Sequence, residues 1–559
     1  MKAKSRRLLN LLDDWAAAVN NTPFPQPPKY AGPDVNISSF VEHTDYVKPG
    51  ACFIARVRTG TDGHAYIGEA VKRGAALIIG QRSKKELDHE LGSVPYLRVD
   101  DSSVVEAWLA AAFYDFPGNQ MINIGVTGTD GKTTTVNLIN EILLAANLKT
   151  GMLSTIIASF GDSEEPLALH VTTPEAPVMQ SHLRRMVDKG LTHCVLEVTS
   201  HGLSQHRVDA IDFDLAVITN VTHEHLDYHG DYENYLAAKS RLFRGLSLGH
   251  IKNRSGGTLK KYVQKTAVLN ADDESFSSLS AAAPSKSVSY GLDERANIFA
   301  KEINYHRDGT DFTLCFPQNE GELTNGIVEI QIASTLIGPF NIYNILAAAA
   351  TAHVLEIPPE LIKKGIENLK QLTGRMERLE AGQPFEIVID FAHTPNALEK
   401  AIAAAKGMVG GRIITVFGSA GKRDVAKRRL LAEVSARIAD CTILTAEDPR
   451  TDSLDDILES MAAGCRSHGG IEGKNFWRIP DRGQAIYWAL SIAQKDDLLL
   501  ICGKGHEQSM CFGEVEYPWN DIDITRKIVA AYLDGLPSPD SGLPTFDPEF
   551  DPRSLSTAK

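Results

Sequence analysis

The sequence predicts an α/β protein of three units, on three observations. At 559 residues, the chain is too long for one hydrophobic core. Short β-branched runs alternate with stretches of helical periodicity, and the alternation starts afresh near residues 51, 121 and 386. Many of these runs end in glycine or polar clusters, where open α/β sheets keep their ligand sites. The expected division is a helix and proline-rich linker over 1–34, a small α/β unit over 35–118 and a central nucleotide-binding unit over 119–371. A doubly covered parallel sheet follows over 372–535, and then a tail over 536–559 whose five prolines and few aromatics predict disorder.

Hydrophobic residues make up 43% of the chain and charged residues 23%, an ordinary soluble composition, and no run approaches the ~20 apolar residues of a membrane span. A formal charge of −14 argues against a nucleic-acid surface and for small-molecule chemistry. The seven cysteines lack CxxC spacing, so neither a disulfide framework nor a zinc ribbon is expected, and a reducing cytoplasm fits.

Taken in order, Leu8, Leu9, Leu12 and Trp15 form one apolar face of a first helix. Asp13 and Asp14 break the apolar run that a signal peptide needs after the basic start. Residues 22–33 are too proline-rich for helix or central strand. The first unit has strand candidates at 51–55, 75–79 and 96–99 and ends near Pro117-Gly118. The central unit offers strands at 121–124, 194–198, 215–219 and 266–269, with a helix over 136–144. A period-2 stretch from about 298 to 333 predicts antiparallel strands turning at Arg307-Asp308-Gly309, and Gly338 to Asn344 opens an alanine-rich helix. The last unit has strands at 386–391, 412–417, 441–445 and 497–502, whose carboxyl ends would line one edge.

The chemistry centres on Gly125-Val126-Thr127-Gly128-Thr129-Asp130-Gly131-Lys132-Thr133-Thr134-Thr135, between a strand and a helix. Glycines let backbone N–H groups close on phosphate oxygens, the helix N-terminus adds its positive end, Lys132 reaches the outer phosphates and Thr133 can hold Mg²⁺. Val126 stands where the general GxxxxGK[ST] pattern has its first glycine. Glu197, at a strand end facing this loop, is a Mg²⁺ ligand candidate with His225 as companion. Around His223, Glu224 and His225 a zinc site is not expected: Asp227 occupies the second histidine position of HExxH, and no cysteine is near.

These motifs, together with Thr172-Thr173-Pro174, Ala237 to Phe243, Gly374 to Glu377, Asp390 to Pro395 and the sheet-edge clusters, resemble the Mur ligases of peptidoglycan synthesis over roughly residues 45–530. Within that family the likeness is to the enzymes that add the third, diamino acid. The resemblance implies a small N-terminal α/β domain, a central P-loop ATPase-like domain and a C-terminal Rossmann-like domain. It implies ATP at Gly128, Thr129, Asp130, Gly131, Lys132, Thr133, Thr134, Asn341, Asn344, Arg375 and Asp390, and two Mg²⁺ ions near Thr133, Glu197, His225 and Lys239. It also implies catalytic roles for Lys132, Lys239 and His225, Lys239 being carried as a carbamate. The UDP-muramoyl dipeptide would meet Thr44, Thr172, Thr173, Ser200 and Arg207, and the incoming diamino acid Arg423, Asp448, Arg450, Gly503 and Glu507. A cytoplasmic monomer, acting in cell-wall biogenesis and hence in cell shape and division, is the expectation.

Two departures bear on substrate choice. Where the diaminopimelate enzymes of the family read Asp-Asn-Pro-Arg, this chain reads Glu447-Asp448-Pro449-Arg450, and the added negative charge would favour a bare ammonium such as lysine or ornithine, with Arg450 pulling toward a carboxylate. In the first unit the family's Asp-Ser-Arg is His43-Thr44-Asp45. The alternatives are a Mur-type ligase with a polyglutamate, cyanophycin or folate acceptor and a non-catalytic nucleotide-binding paralogue.

Overall fold

A computed structural model describes residues 5–58, 60–167, 172–222, 224, 226–248, 263–283, 286–317 and 326–555. The chain divides into two compact units, Met1–Tyr290 with Ala347–Pro358 and Gly291–Leu346 with Pro359–Lys559. Among the described residues, no helix is long and apolar enough to cross a membrane. All seven cysteines are free.

In the first unit, the helix Leu8–Ala18 is docked rather than tethered. Leu8, Leu11, Leu12 and Trp15 are buried while Leu9 is 39% exposed, because 3.6-residue periodicity puts 8, 11, 12 and 15 on one stripe. Trp15 stacks on Trp108 of the helix Ser102–Phe113 at 5.8 Å between ring centroids, and its indole N–H donates to the Pro25 carbonyl. Four parallel strands, Ser39–Val41, Ala51–Ile54, Leu77–Gly80 and Tyr96–Arg98, form the small first sheet.

The central sheet is built around Ile122–Thr127, every residue of it buried. On one side it pairs in parallel with His193–Glu197, on the other with Leu215–Ile218, followed by Thr266–Asn270 and Ser287–Gly291. Thr150–Leu153 adds a parallel strand beyond His193–Glu197. Register sets Glu197 opposite Val126 and Ile218 opposite Thr127, so three strands end together beside the loop that follows Thr127.

In the second unit, Ile298–His306, Gly309–Pro317 and Ile327–Ser334 are antiparallel, with the expected turn at Arg307. The last sheet runs in the order Glu377–Arg378, Glu386–Asp390, Leu498–Cys502, Ile413–Phe417, Cys441–Leu444, Phe476–Arg478, all parallel except the first. Side chains alternate between two cores. Leu498, Leu500 and Cys502 pack with the helices Pro395–Lys406, Val425–Ile438 and Leu454–Ser467, while Leu499 and Ile501 pack with Arg482–Ile492 and Asp521–Leu533.

The tail corrects the sequence expectation of disorder. Over the described residues to 555 it lies on the second unit: Leu543 is buried, the Ser541 hydroxyl donates to Asp481 at 2.6 Å, and Trp477 donates to the Leu555 carbonyl. A few side-chain anchors hold a segment that composition alone marks as unable to build a core.

Candidate active site

The loop after Thr127 is shaped by contacts that only glycine permits. Gly128 has φ +150°, and a Cβ there would run into the Thr219 hydroxyl. Gly131, at φ +82°, opens the helix Lys132–Ala145, four residues earlier than the periodicity predicted. The loop is pinned from the neighbouring strand end: Asn220 accepts from the Asp130 N–H at 3.0 Å and donates to the Asp130 carbonyl at 3.1 Å, and Thr219 donates to that carbonyl at 2.6 Å. Thr129 shares a hydrogen bond with the Tyr235 hydroxyl at 3.1 Å. The loop is thus held in the strand–loop–helix form that binds phosphate, with the Thr129 and Asp130 N–H groups donating to Asn220. Lys132 folds back on the loop, donating to the carbonyls of Thr129 (2.7 Å) and Gly128 (3.1 Å).

Glu197 is 3% exposed and accepts from the Thr133 hydroxyl at 3.0 and 3.2 Å and from the Thr155 N–H at 2.9 Å. A hydroxyl and a carboxylate converging beside a phosphate loop are hard oxygen donors, the chemistry that fits Mg²⁺. Lys239, on the helix Tyr232–Leu248, is 1% exposed, donates to the Gly128 carbonyl at 2.7 Å and lies 4.4 Å from the Tyr235 ring. Burial, then the nearby Lys132 ammonium, holds its amine well below the usual lysine range. As an ammonium, Lys239 would repel a cation; a carbamate on it would be an oxygen ligand. His225 lies outside the described residues.

The same network reaches the expected acceptor residues. Thr173 donates to the Glu197 carbonyl at 3.1 Å and bonds Thr199, while Thr155 donates to Thr172 at 3.1 Å. Arg207 donates to the Thr173 carbonyl (2.6 Å) and to Gln205 (2.7 Å) and pairs with Glu175 at 2.7 Å. Ser200, 2% exposed, begins the short helix capped by Thr199. Arg56 pairs with Glu42, Glu175 and Glu106, and burial followed by the Glu42 charge pushes the Glu106 carboxyl well above its usual range. Thr44 is buried in a turn of the first sheet with its carbonyl on Arg73, and no hydrogen bond among the described residues joins it to the phosphate loop.

In the second unit, the Asn341 side chain accepts from Asn344 at 2.9 Å, both buried on the helix Pro339–Val354. Arg375 lies over the Phe391 ring at 4.7 Å. Asp390 ties two loops together, accepting from Met376 N–H and Ala392 N–H, each at 2.7 Å. The clusters at the carboxyl edge of the last sheet do meet. Gly421 N–H donates to the Asp448 carbonyl at 2.9 Å, Gly503 N–H to the Asp390 carbonyl at 3.1 Å, and a Cβ on Gly503, at φ +108°, would strike the Glu447 carboxyl. Asp448 and Arg450 flank Pro449 in left-handed conformations, φ +41° and +53°, strain that the hairpin Ser509–Pro518 holds in place through Cys511. Burial pushes the Glu447 carboxyl up to about 7, against the pull of Arg482. Arg423 is exposed.

One expectation needs correction. Asp448 does not stand as an added free negative charge, because the Lys504 ammonium, 1% exposed, lies 3.0 Å from its carboxylate and also pairs with Glu507. Lys504 was visible only as part of a glycine-rich cluster, Thr199 only within the Glu197 motif and Thr219 only as the end of a strand; Thr155 and Glu175 carried no signal, since each acts through a partner remote in the chain.

The Mur ligase middle domain matches residues 126–352, and the Mur ligase glutamate ligase domain matches residues 374–505. The UDP-N-acetylmuramyl-tripeptide synthetase of Roseiflexus sp. (strain RS-1) is 40% identical over 504 residues, covering 89% of this chain and 96% of that protein. The UDP-N-acetylmuramoyl-L-alanyl-D-glutamate--2,6-diaminopimelate ligase of Bacillus licheniformis is 36% identical over 503 residues, 90% of this chain and 96% of its own length. A solved structure of a ligase of that same name superposes with a TM-score of 0.59 at 27% identity, covering 91% of this chain and 98% of the other.

Proposed function

The chain belongs to the Mur ligase family and is an ATP-dependent ligase, and from that premise we propose that it joins a diamino acid to UDP-MurNAc-L-Ala-D-Glu through an acyl phosphate. The convergence of Lys132, Thr133, Glu197 and Lys239 on the loop at Gly128 supports this most. The loop N–H groups and Lys132 bind and orient the phosphates, and Thr133 and Glu197 would hold Mg²⁺, which when bound offsets phosphate charge. Thr172, Thr173, Ser200 and Arg207 orient the acceptor so that its terminal carboxylate lies in line with the γ-phosphorus. That carboxylate attacks phosphorus and ADP leaves. The deprotonated amine of the diamino acid then attacks the acyl carbon and expels phosphate.

Lys239 fits the carbamate role because burial, then the Lys132 ammonium, pushes its pKa down and favours the neutral amine, the form that adds to CO₂ and releases a proton. Arg423, Asp448, Arg450, Gly503 and Glu507 would receive the diamino acid. The test is phosphate release from ATP in the presence of UDP-MurNAc-L-Ala-D-Glu, with meso-diaminopimelate, lysine or ornithine added in parallel. Release that depends on one of them is the expected result; no release with any, from a protein that binds ATP, would overturn the proposal.

A further inference from the structure

The carboxyl edge of the last sheet holds three charges in one contact set: the Lys504 ammonium lies between the carboxylates of Asp448 and Glu507. Lys504 is 1% exposed, so its charge cannot be screened by water, and its side chain is committed to this place. Asp448 is equally committed. Its backbone is in the left-handed region at φ +41°, and the carboxylate oxygen that meets Lys504 also accepts from the Cys511 N–H at 2.9 Å. A buried ammonium would ordinarily lose its proton, but the two carboxylates outweigh burial and raise the Lys504 pKa. The contact set as a whole therefore carries one negative charge rather than two. Beside it, Arg450 is fixed by its backbone to the hairpin, accepting from Gly513 N–H and donating to the Cys511 carbonyl.

We propose that Lys504 sets the amino-acid preference of this pocket by cancelling the charge of Asp448, so that an amino acid whose far end carries both a carboxylate and an ammonium is taken ahead of one ending in a bare ammonium. The proposal rests on the ligase reading above. A net single negative charge, with Arg450 two residues beyond Asp448 on the same loop, accepts a zwitterionic end without leaving a charge unpaired, whereas two uncompensated carboxylates repel the ligand's own carboxylate. Lys504 is a positioning residue here, acting through Asp448.

The experiment measures Kd by calorimetry, and phosphate release in parallel, for meso-diaminopimelate and L-lysine with the full chain, Lys504→Met, Lys504→Arg, Asp448→Asn and the double variant. Lys504→Met should shift the diaminopimelate-to-lysine affinity ratio about tenfold or more toward lysine, the usual scale for one unpaired charge in a partly buried site. Lys504→Arg should hold the ratio near that of the parent. Asp448→Asn, which keeps Lys504, should shift the ratio toward diaminopimelate, and the double variant should return it close to the parent's. An unchanged ratio in Lys504→Met, or in Asp448→Asn where Lys504→Met does not fold, would overturn the proposal. Turnover separates the two ideas: absent phosphate release by the parent sinks the ligase reading, while the affinity ratios alone decide the role of Lys504.

Discussion

At Lys239, burial and chemistry pull in one direction. A lysine 1% exposed, near another ammonium, is pushed toward the neutral amine, the form that carbamate formation needs. Lys239→Ala should cut amide formation by about a hundredfold or more, as loss of a group that stabilises transition-state charge does, with ATP binding largely kept; unchanged turnover would remove Lys239 from the chemistry. Glu447 gives a pH signature. Its folded pKa of about 7 lies above the ordinary 4.5, so between these values the folded chain keeps a proton that the unfolded chain releases, and stability falls as pH rises through that window. The Glu447→Gln variant should lack this loss, on the order of 3 kcal/mol. Denaturant titrations at pH 5 and 8 on both proteins check it, and parallel slopes would count against the buried charge. The Glu447 shift was not legible in the sequence, and Lys239 was singled out only through the family resemblance. A lysine in a helix reads as solvated, and the partner that redefines Asp448 is 56 positions away.

Elements were more legible than residues, because the strands that carry the site are β-branched runs ending in glycine or polar clusters. Ile122–Thr127, Leu215–Ile218 and Ile413–Phe417 fall where pattern predicted, within a few residues. Thr150–Leu153, Thr-Gly-Met-Leu, was missed since glycine and methionine give no strand signal, and Phe476–Arg478 since three residues give no period. Elements also depend on pairs that no local pattern shows. Arg482 and Asp521 are wholly buried, 2.7 Å apart, and Arg482 also donates to the Cys502 carbonyl at 2.8 Å, tying two helices to a strand end of the site. Asp521→Asn leaves the guanidinium uncompensated and should cost ~3–5 kcal/mol, seen as a lower denaturation midpoint. A midpoint equal to the parent's would mean the pair contributes little.

Over the whole molecule, the α/β class and the parallel sheets followed from periodicity, while the chemistry needed many separated motifs taken together. One glycine loop indicates phosphate; loop, Glu197, the Thr172-Thr173 pair and the clusters of the last sheet indicate a ligase. What escaped was tertiary: the docking of the first helix on Trp108 and of the tail on Asp481. The central claim is that the acceptor carboxylate is phosphorylated before the amine arrives. It is tested most directly by supplying UDP-MurNAc-L-Ala-D-Glu with ¹⁸O in the terminal glutamyl carboxylate, together with MgATP and a diamino acid, and analysing the phosphate by mass spectrometry. Attack by that carboxylate on phosphorus predicts one ¹⁸O in each phosphate released, with one phosphate per amide formed; unlabelled phosphate, or amide formed without phosphate, would contradict it.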